Sequence, residues 1–263
     1  MPDNVIPYEG VSLGSGASAG IVNKFEVGEP VWYFWGYKTN GYFKNSQEIL
    51  DYKNANGVQY QPNAIPGDVK FVDLNGDGTI DASDKTYLGK PLPTMSYGLT
   101  INLSYKIVDF SAVLNAVTGN SVYNATIRPG QGTNNRLENY YTDSWLPENT
   151  DASWFRPTIN DNNRNFRESD LFVEDASYLK LRNVQIGVTI PSKLTRIIRI
   201  DRLRLYASGS NLLTFTKYTG GDPEIGRTPG IQNNSSEQWK SIGIDRGFYP
   251  TAKTYTFGIN VTF

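Results

Sequence analysis

Strict alternation of apolar and polar residues marks five segments of the chain. In residues 96–105, Tyr97, Leu99, Ile101, Leu103 and Tyr105 alternate with Ser96, Gly98, Thr100, Asn102 and Ser104 without a miss. After a tight connection at "KIVD", residues 109–118 place Phe110, Ala112, Leu114 and Ala116 on one face. Residues 177–191 alternate again, with a phase slip near Arg182 and Asn183 that predicts a bulge. Residues 201–213 align Leu203, Leu205 and Ala207, and residues 254–263 set Tyr255, Phe257, Ile259, Val261 and Phe263 against Thr254, Thr256, Gly258, Asn260 and Thr262. Each predicted strand has about ten residues, the length that crosses a bilayer when tilted. The strands of a soluble sandwich alternate as well, so alternation alone leaves both architectures open.

The connections separate them further. The link between the first two strands is very short, and that between the third and fourth, "PSKLTRIIRI", holds one helical turn opened by Pro191. The other two links, 119–176 and 214–253, are long. Alternation of short turns with long loops is the habit of outer-membrane barrels, and Tyr97, Tyr105, Tyr255 and Phe263 stand at strand ends where an interfacial girdle places aromatics. Residues 1–95 are rich in Gly, Asn, Pro and Asp. Their aromatic stretch at 27–43 is interrupted by Pro30, Gly36 and Gly41, so this part is predicted to be a loop region with short strands. "GSGASAG" at 14–20 lacks the Lys-Ser/Thr and the helix of a phosphate loop and is predicted to be a flexible turn.

Composition narrows the chemistry. With 25 basic and 26 acidic residues the chain carries no basic footprint for nucleic acid. It contains neither cysteine nor histidine, which excludes Ser-His and Cys nucleophile systems and His or Cys zinc sites but leaves hard, oxygen-ligated cations. No run of about 20 apolar residues is present, so no transmembrane helix is expected. The first residues lack the charged-then-apolar pattern of a signal peptide, so an exported protein would be represented here in mature or partial form.

One motif does suggest a ligand. Residues 73–84 place oxygen-bearing side chains at positions 1, 3, 5, 9 and 12 of a calcium loop: Asp73, Asn75, Asp77, Asp81 and Asp84. Gly78 takes the sharp turn at position 6, and Thr79 offers its backbone carbonyl at position 7. Asp at position 12 makes bidentate ligation less certain than Glu would, and a plain Asp/Asn/Gly turn is the alternative. One structural Ca²⁺ is expected, with Asp81 direct or through water. In the loop 140–170, Trp145, Trp154 and Phe155 stand among polar residues, either to stack on a sugar or a partner or to form the loop's own small core. Carboxylate pairs such as Glu174 and Asp175 lack the fixed spacing across a cleft that a glycosidase needs, so no catalytic site and no enzymatic activity are expected.

Long blocks of the chain resemble a known family. "GDVKFVDLNGDGTIDASDKTYLGKPLPTMSYGLTINLSY", "EDASYLKLRNVQIGVTIPSKL", "LRLYASGSNLLTFTKYTGGDPEI" and "GIDRGFYPTAKTYTFGINVTF" resemble the C-terminal part of SusC/RagA-type TonB-linked (TonB-dependent) outer-membrane receptors of Bacteroidetes-type Gram-negative bacteria. The resemblance runs from about Val27 to Phe263. It implies an all-β chain: the C-terminal antiparallel strands of a large transmembrane barrel, 22-stranded in full-length members. Residues 1–95 would form an extracellular region carrying the 73–84 loop. Residues 96–263 would supply barrel strands with extracellular loops 119–176 and 214–253. The implied function is import of glycans, peptides or other nutrients, with a SusD-like surface lipoprotein as partner, outer-membrane lipid around the strands, and TonB acting through an N-terminal region that this chain lacks. On that reading the chain is a piece of a longer receptor. The rival reading is a secreted, soluble β-rich binding module stabilised by calcium.

Overall fold

The computed structural model describes residues 8–9, 12–13, 20–127, 138, 142–158, 160–226 and 240–263. Residues 14–19 of the turn expected at 14–20, and parts of both long loops, lie outside them. The chain divides into two compact units. One comprises Met1–Leu92, Ser121–Glu174 and Ile225–Phe248; the other comprises Pro93–Asn120, Asp175–Glu224 and Tyr249–Phe263. The loops at 121–174 and 225–248 therefore fold together with the N-terminal region.

The second unit is a single antiparallel sheet of five long strands: β1 (Met95–Tyr105), β2 (Val108–Thr118), β3 (Tyr178–Ile190), β4 (Arg202–Thr216) and β5 (Thr254–Thr262). They lie in sequence order, each hydrogen-bonded to the next, with β1 and β5 at the edges within this chain. Hairpin β1–β2 turns through Lys106, whose φ of 55° is left-handed. Between β3 and β4 the chain makes a short helix, Ser192–Thr195, a 3₁₀ turn, Arg196–Ile198, and a left-handed Arg199. This is the helical turn expected after Pro191.

Register carries the sequence alternation across the whole sheet. Leu103 faces Phe110, Phe110 faces Ile186, Ile186 faces Ala207 and Ala207 faces Phe257, so one continuous row of apolar side chains crosses all five strands. The next row is polar: Ser104, Asp109, Gly187, Tyr206 and Gly258. Against β2 the register of β3 shifts between Leu181 and Asn183, leaving Arg182 as the extra residue of a bulge; against β4 the extra residue is on β4, where Asn211 and Leu212 stand opposite Arg182 alone. Without the bulge at Arg182 the phase of β3 would invert midway, and Leu179 and Leu181 could not share a face with Val184 and Ile186.

The first unit is held by aromatic cores rather than by long strands. Val22, Phe34, Tyr123, Phe172 and Ile244 form one buried cluster; Tyr37, Val69, Phe71, Phe155 and Phe166 form another. A third gathers Phe43, Ile49 and Ala64 around the helix Ser46–Asp51, whose first turn is capped by Asn45 Oδ1 accepting from Glu48 N. Short strands frame these clusters: Asn23–Phe25, Tyr33–Gly36 and Thr86–Gly89 pair antiparallel, and Ser121–Asn124 pairs in parallel with Ile244–Asp245. Each fully buried Phe contributes about 1.5–3 kcal/mol, which makes the clusters the main source of this unit's stability. No helix among the described residues is long and apolar enough to cross a membrane.

Candidate functional site

The two faces of the sheet are inverted relative to those of a soluble protein. On the apolar face Leu103, Phe257 and Ile259 are 62%, 80% and 65% exposed. The opposite face carries the charges. Arg204 of β4 reaches across β3 to Asp109 of β2, with Nε 2.9 Å and Nη2 2.5 Å from the carboxylate. It lies over Gly187, where any β-carbon would strike its guanidinium. Tyr206 lies over Gly258 in the same way. In water an uncovered apolar face of this size marks a partner or a membrane. Ten-residue strands alternating apolar-out and polar-in are the pattern of a transmembrane β-barrel wall.

Among the described residues the most heavily buried cation is Lys180 of β3, 1% exposed. Its Nζ donates to Asp222 Oδ1 at 2.6 Å and to Glu224 Oε2 at 2.7 Å. Glu224 also accepts from the Tyr178 hydroxyl at 2.7 Å and pairs with Arg182, the bulged residue. Asp222 Oδ2 accepts from the Thr251 hydroxyl at 2.7 Å. Three side chains of one strand and one from the approach to β5 thus fix the segment 222–224 on the polar side of the sheet. Sequence reasoning did not single out these residues. The available signal was Lys180 and Arg182 near the polar phase of an otherwise apolar strand, with two acids in the following loop.

In the 73–84 loop the side chains hold the backbone. Asp73 accepts from Gly76 N and Gly78 N at 2.7 and 2.9 Å, Asn75 Oδ1 from Asp77 N, and Asp77 Oδ1 from both the N–H and the hydroxyl of Thr79. Asp84 is buried and accepts from Leu74 N and Asp81 N, each at 2.8 Å, while Asp81 caps Ser83. Gly78 has φ +94°, the left-handed turn its position requires. The hydrogen bond from Thr79 N holds the Asp77 carboxyl below its usual range, and the Ser83 hydroxyl does the same for Asp81. Asp73, Asp77 and Asp84 all act on the Tyr60 hydroxyl, whose pKa is raised first by burial and then by these charges. Among the described residues none of the four Asp carboxylates forms an ion pair, and no three His, Cys, Asp or Glu gather as a metal-holding group.

The three loop aromatics part company. Phe155 is fully buried in the first unit, edge-on to Phe166 at 5.1 Å. Trp154 stacks on Phe155 at 5.0 Å and meets Phe172 edge-on. Trp145 is buried with its indole N–H unpartnered, and it lines an open cleft of about 650 Å³ with Ile65, Pro66, Leu146, Pro147 and Pro157.

A sheet with an exposed apolar face, charges on its other side and long segments joining alternate strand ends has the pattern of a membrane β-barrel wall. Comparison with known proteins gives the particular kind. No family model matches the chain. TonB-dependent receptor P3 of Formosa agariphila is 32% identical over 237 residues, 90% of this chain and 22% of that protein. TonB-dependent receptor P26 of the same organism is 33% identical over 256 residues, 95% of this chain and 24% of that protein. TonB-dependent receptor SusC of Bacteroides thetaiotaomicron is 30% identical over 207 residues, 78% and 18% respectively. In fold, the chain matches the RagAB peptide importer in its open-open state with a TM-score of 0.64 at 19% identity, over 100% of this chain and 25% of that one. The chain spans about a fifth to a quarter of the length of the curated relatives it matches. Over most of its length it is therefore similar in sequence, and in all-β fold, to SusC/RagA-type TonB-dependent receptors.

Proposed function

We propose that this chain is part of an outer-membrane TonB-dependent transporter that imports glycans or other nutrients together with a SusD-like lipoprotein, TonB acting through regions outside these residues. The observation that carries this reading is the sheet with one exposed apolar face and one charged face: the first would meet lipid and the second would line an aqueous lumen. The similarity to TonB-dependent receptors supports it. The first unit would face nutrient or lipoprotein, with the Trp145 cleft as its apolar contact surface.

The chain has no cysteine, which makes the test direct. Single cysteines at Leu103 or Phe257 in the membrane-embedded protein should react only with a lipid-soluble maleimide. Cysteines at Ser104 or Thr256 should react with a membrane-impermeant one. The opposite selectivity would place water on the apolar face and refute the barrel reading.

We also propose that the 73–84 loop takes one structural Ca²⁺ through Asp73, Asn75, Asp77, the Thr79 carbonyl and Asp84, with Asp81 assisting. Its support is the register of oxygen side chains and four carboxylates with no cationic partner. Binding would replace some of the loop's internal hydrogen bonds with ligation and neutralise the charge that bears on Tyr60. Calorimetric titration should show one calcium per chain, lost in the double variant Asp73→Ala, Asp77→Ala. Absence of calcium uptake by the folded wild type would end this assignment.

A further inference from the structure

Arg167, in the first unit, is a buried cation without a counter-ion. It is 8% exposed, and its guanidinium carbon lies 4.1 Å from the ring centre of Phe71 and 5.1 Å from that of Tyr37. Other cations in low-exposure settings have a carboxylate: Lys180 has Asp222, Lys85 has Glu168, Arg156 has Asp68 and Arg204 has Asp109. Arg167 forms no ion pair among the described residues. Its two hydrogen bonds run from Nε to the Arg164 carbonyl, 3.1 Å, and from Nη2 to the Asn163 carbonyl, 2.8 Å. A guanidinium has five N–H donors, so both donors of Nη1 and one of Nη2 remain. These form the end-on fork that matches a carboxylate or sulfate edge.

Arg167 lines a pocket of about 120 Å³ together with Arg164, Asn162, Tyr60 and Ile80. That is space for several waters, or for one oxyanion group of a few heavy atoms. Arg164 brings a second positive charge to the rim, on a backbone held at φ +59°. The nearby acids do not fill the pocket's need. Glu168 faces Lys85 at 2.5 Å, and Asp161 accepts from the N–H groups of Asn165 and Phe166. Asp73, Asp77 and Asp84 bear on the pocket's Tyr60 hydroxyl. Burial pulls the Arg167 pKa down to about 10 against the opposing influence of Tyr37, Asp161 and Glu168, and the charge of Arg164 adds to that pull. An anion in the pocket would relieve both.

We infer that this pocket is a recognition site for a single oxyanion group, a carboxylate or sulfate, either free or carried on a larger solute. Arg167 supplies the buried fork and Arg164 the rim charge. The site stands on this geometry alone and is independent of the barrel reading.

The test is titration of the whole chain in detergent with sodium acetate, sodium sulfate, glucuronate and glucose, at ionic strength held constant with sodium chloride. Calorimetry and the thermal midpoint are the readouts. Acetate or sulfate should bind saturably and at least tenfold more tightly than chloride, and glucose should not bind at this site. Glucuronate tighter than acetate would identify an anion carried on a larger molecule; equal affinities would identify the bare group. Arg167→Gln should abolish binding. Because Arg167 packs between aromatic rings, Arg164→Asn is the second variant: Asn accepts the left-handed backbone and removes the rim charge, and it should weaken binding about tenfold. No saturable anion response in the wild type, or an unchanged response in Arg164→Asn, would overturn the site.

Discussion

Replacing Lys180 by Met is expected to destabilise the protein by about 3–5 kcal/mol, the cost of breaking a buried ion pair from one side. Met matches the aliphatic stem but leaves Asp222 and Glu224 without their shared ammonium, and Asp222 is itself buried. Segment 222–224 would then detach from β3, so limited proteolysis near residues 217–226 should speed up in the variant before the sheet itself unfolds. Acid should mimic the mutation. Burial raises the Asp222 pKa, but hydrogen bonds from Lys180, Glu224 N and Thr251 outweigh it and bring the value down to about 2. A carboxyl depressed in the folded state stabilises fully above its ordinary pKa near 3.8 and loses that contribution as pH falls towards 2. Denaturant midpoints should therefore drop between about pH 4 and pH 2 in the wild type, and less so in Lys180→Met. Equal midpoints for both proteins across this range would show that the network does not hold the loop.

Arginine at Ile101 or Ile259 should cost about 2–4 kcal/mol near the bilayer midplane, whereas arginine at Asn102 or Asn260 should be close to neutral. The two members of each pair are chain neighbours with side chains on opposite faces. Local backbone effects are shared, so the difference isolates what each face meets. Reversible unfolding in lipid vesicles is the measurement. Equal penalties on both faces would mean that protein covers each side and would favour a soluble sandwich.

The sheet was legible because its information is local. A period of two over ten residues fixes both strand and face, and even the bulge at Arg182 shows as a one-residue phase slip between Leu181 and Asn183. The 73–84 loop was legible as an Asp/Asn/Gly segment, but its hydrogen bonds were not: the sequence presents Asp73, Asn75 and Asp77 as cation ligands, and here they reach backbone groups only a few residues away. The first unit was opaque. Its cores combine Phe34 with Tyr123, Phe172 and Ile244, and Phe71 with Phe155 and Phe166, from segments with no common period. The aromatics at 145–155 show the limit clearly. Adjacent in sequence and alike in type, Trp154 and Phe155 pack into that interior while Trp145 borders a cleft, a division set by partners far away in the chain. Lys180 and Arg167 escaped notice because a buried charge is distinguished from a solvated one only by what folds over it.

The assembly of the first unit from three separated stretches also sets an order of events during synthesis. Val22 and Phe34 find their place only beside Ile244, which emerges from the ribosome over two hundred residues later. At about 5–20 residues per second, the aromatic segment around Phe34 stays without its core for at least roughly 10–40 s. Contacts of such long range form late and leave the early segment prone to aggregation. Until Ile244 arrives, the stretch from Tyr33 to Phe43 lacks the partners that bury Phe34 in the folded unit.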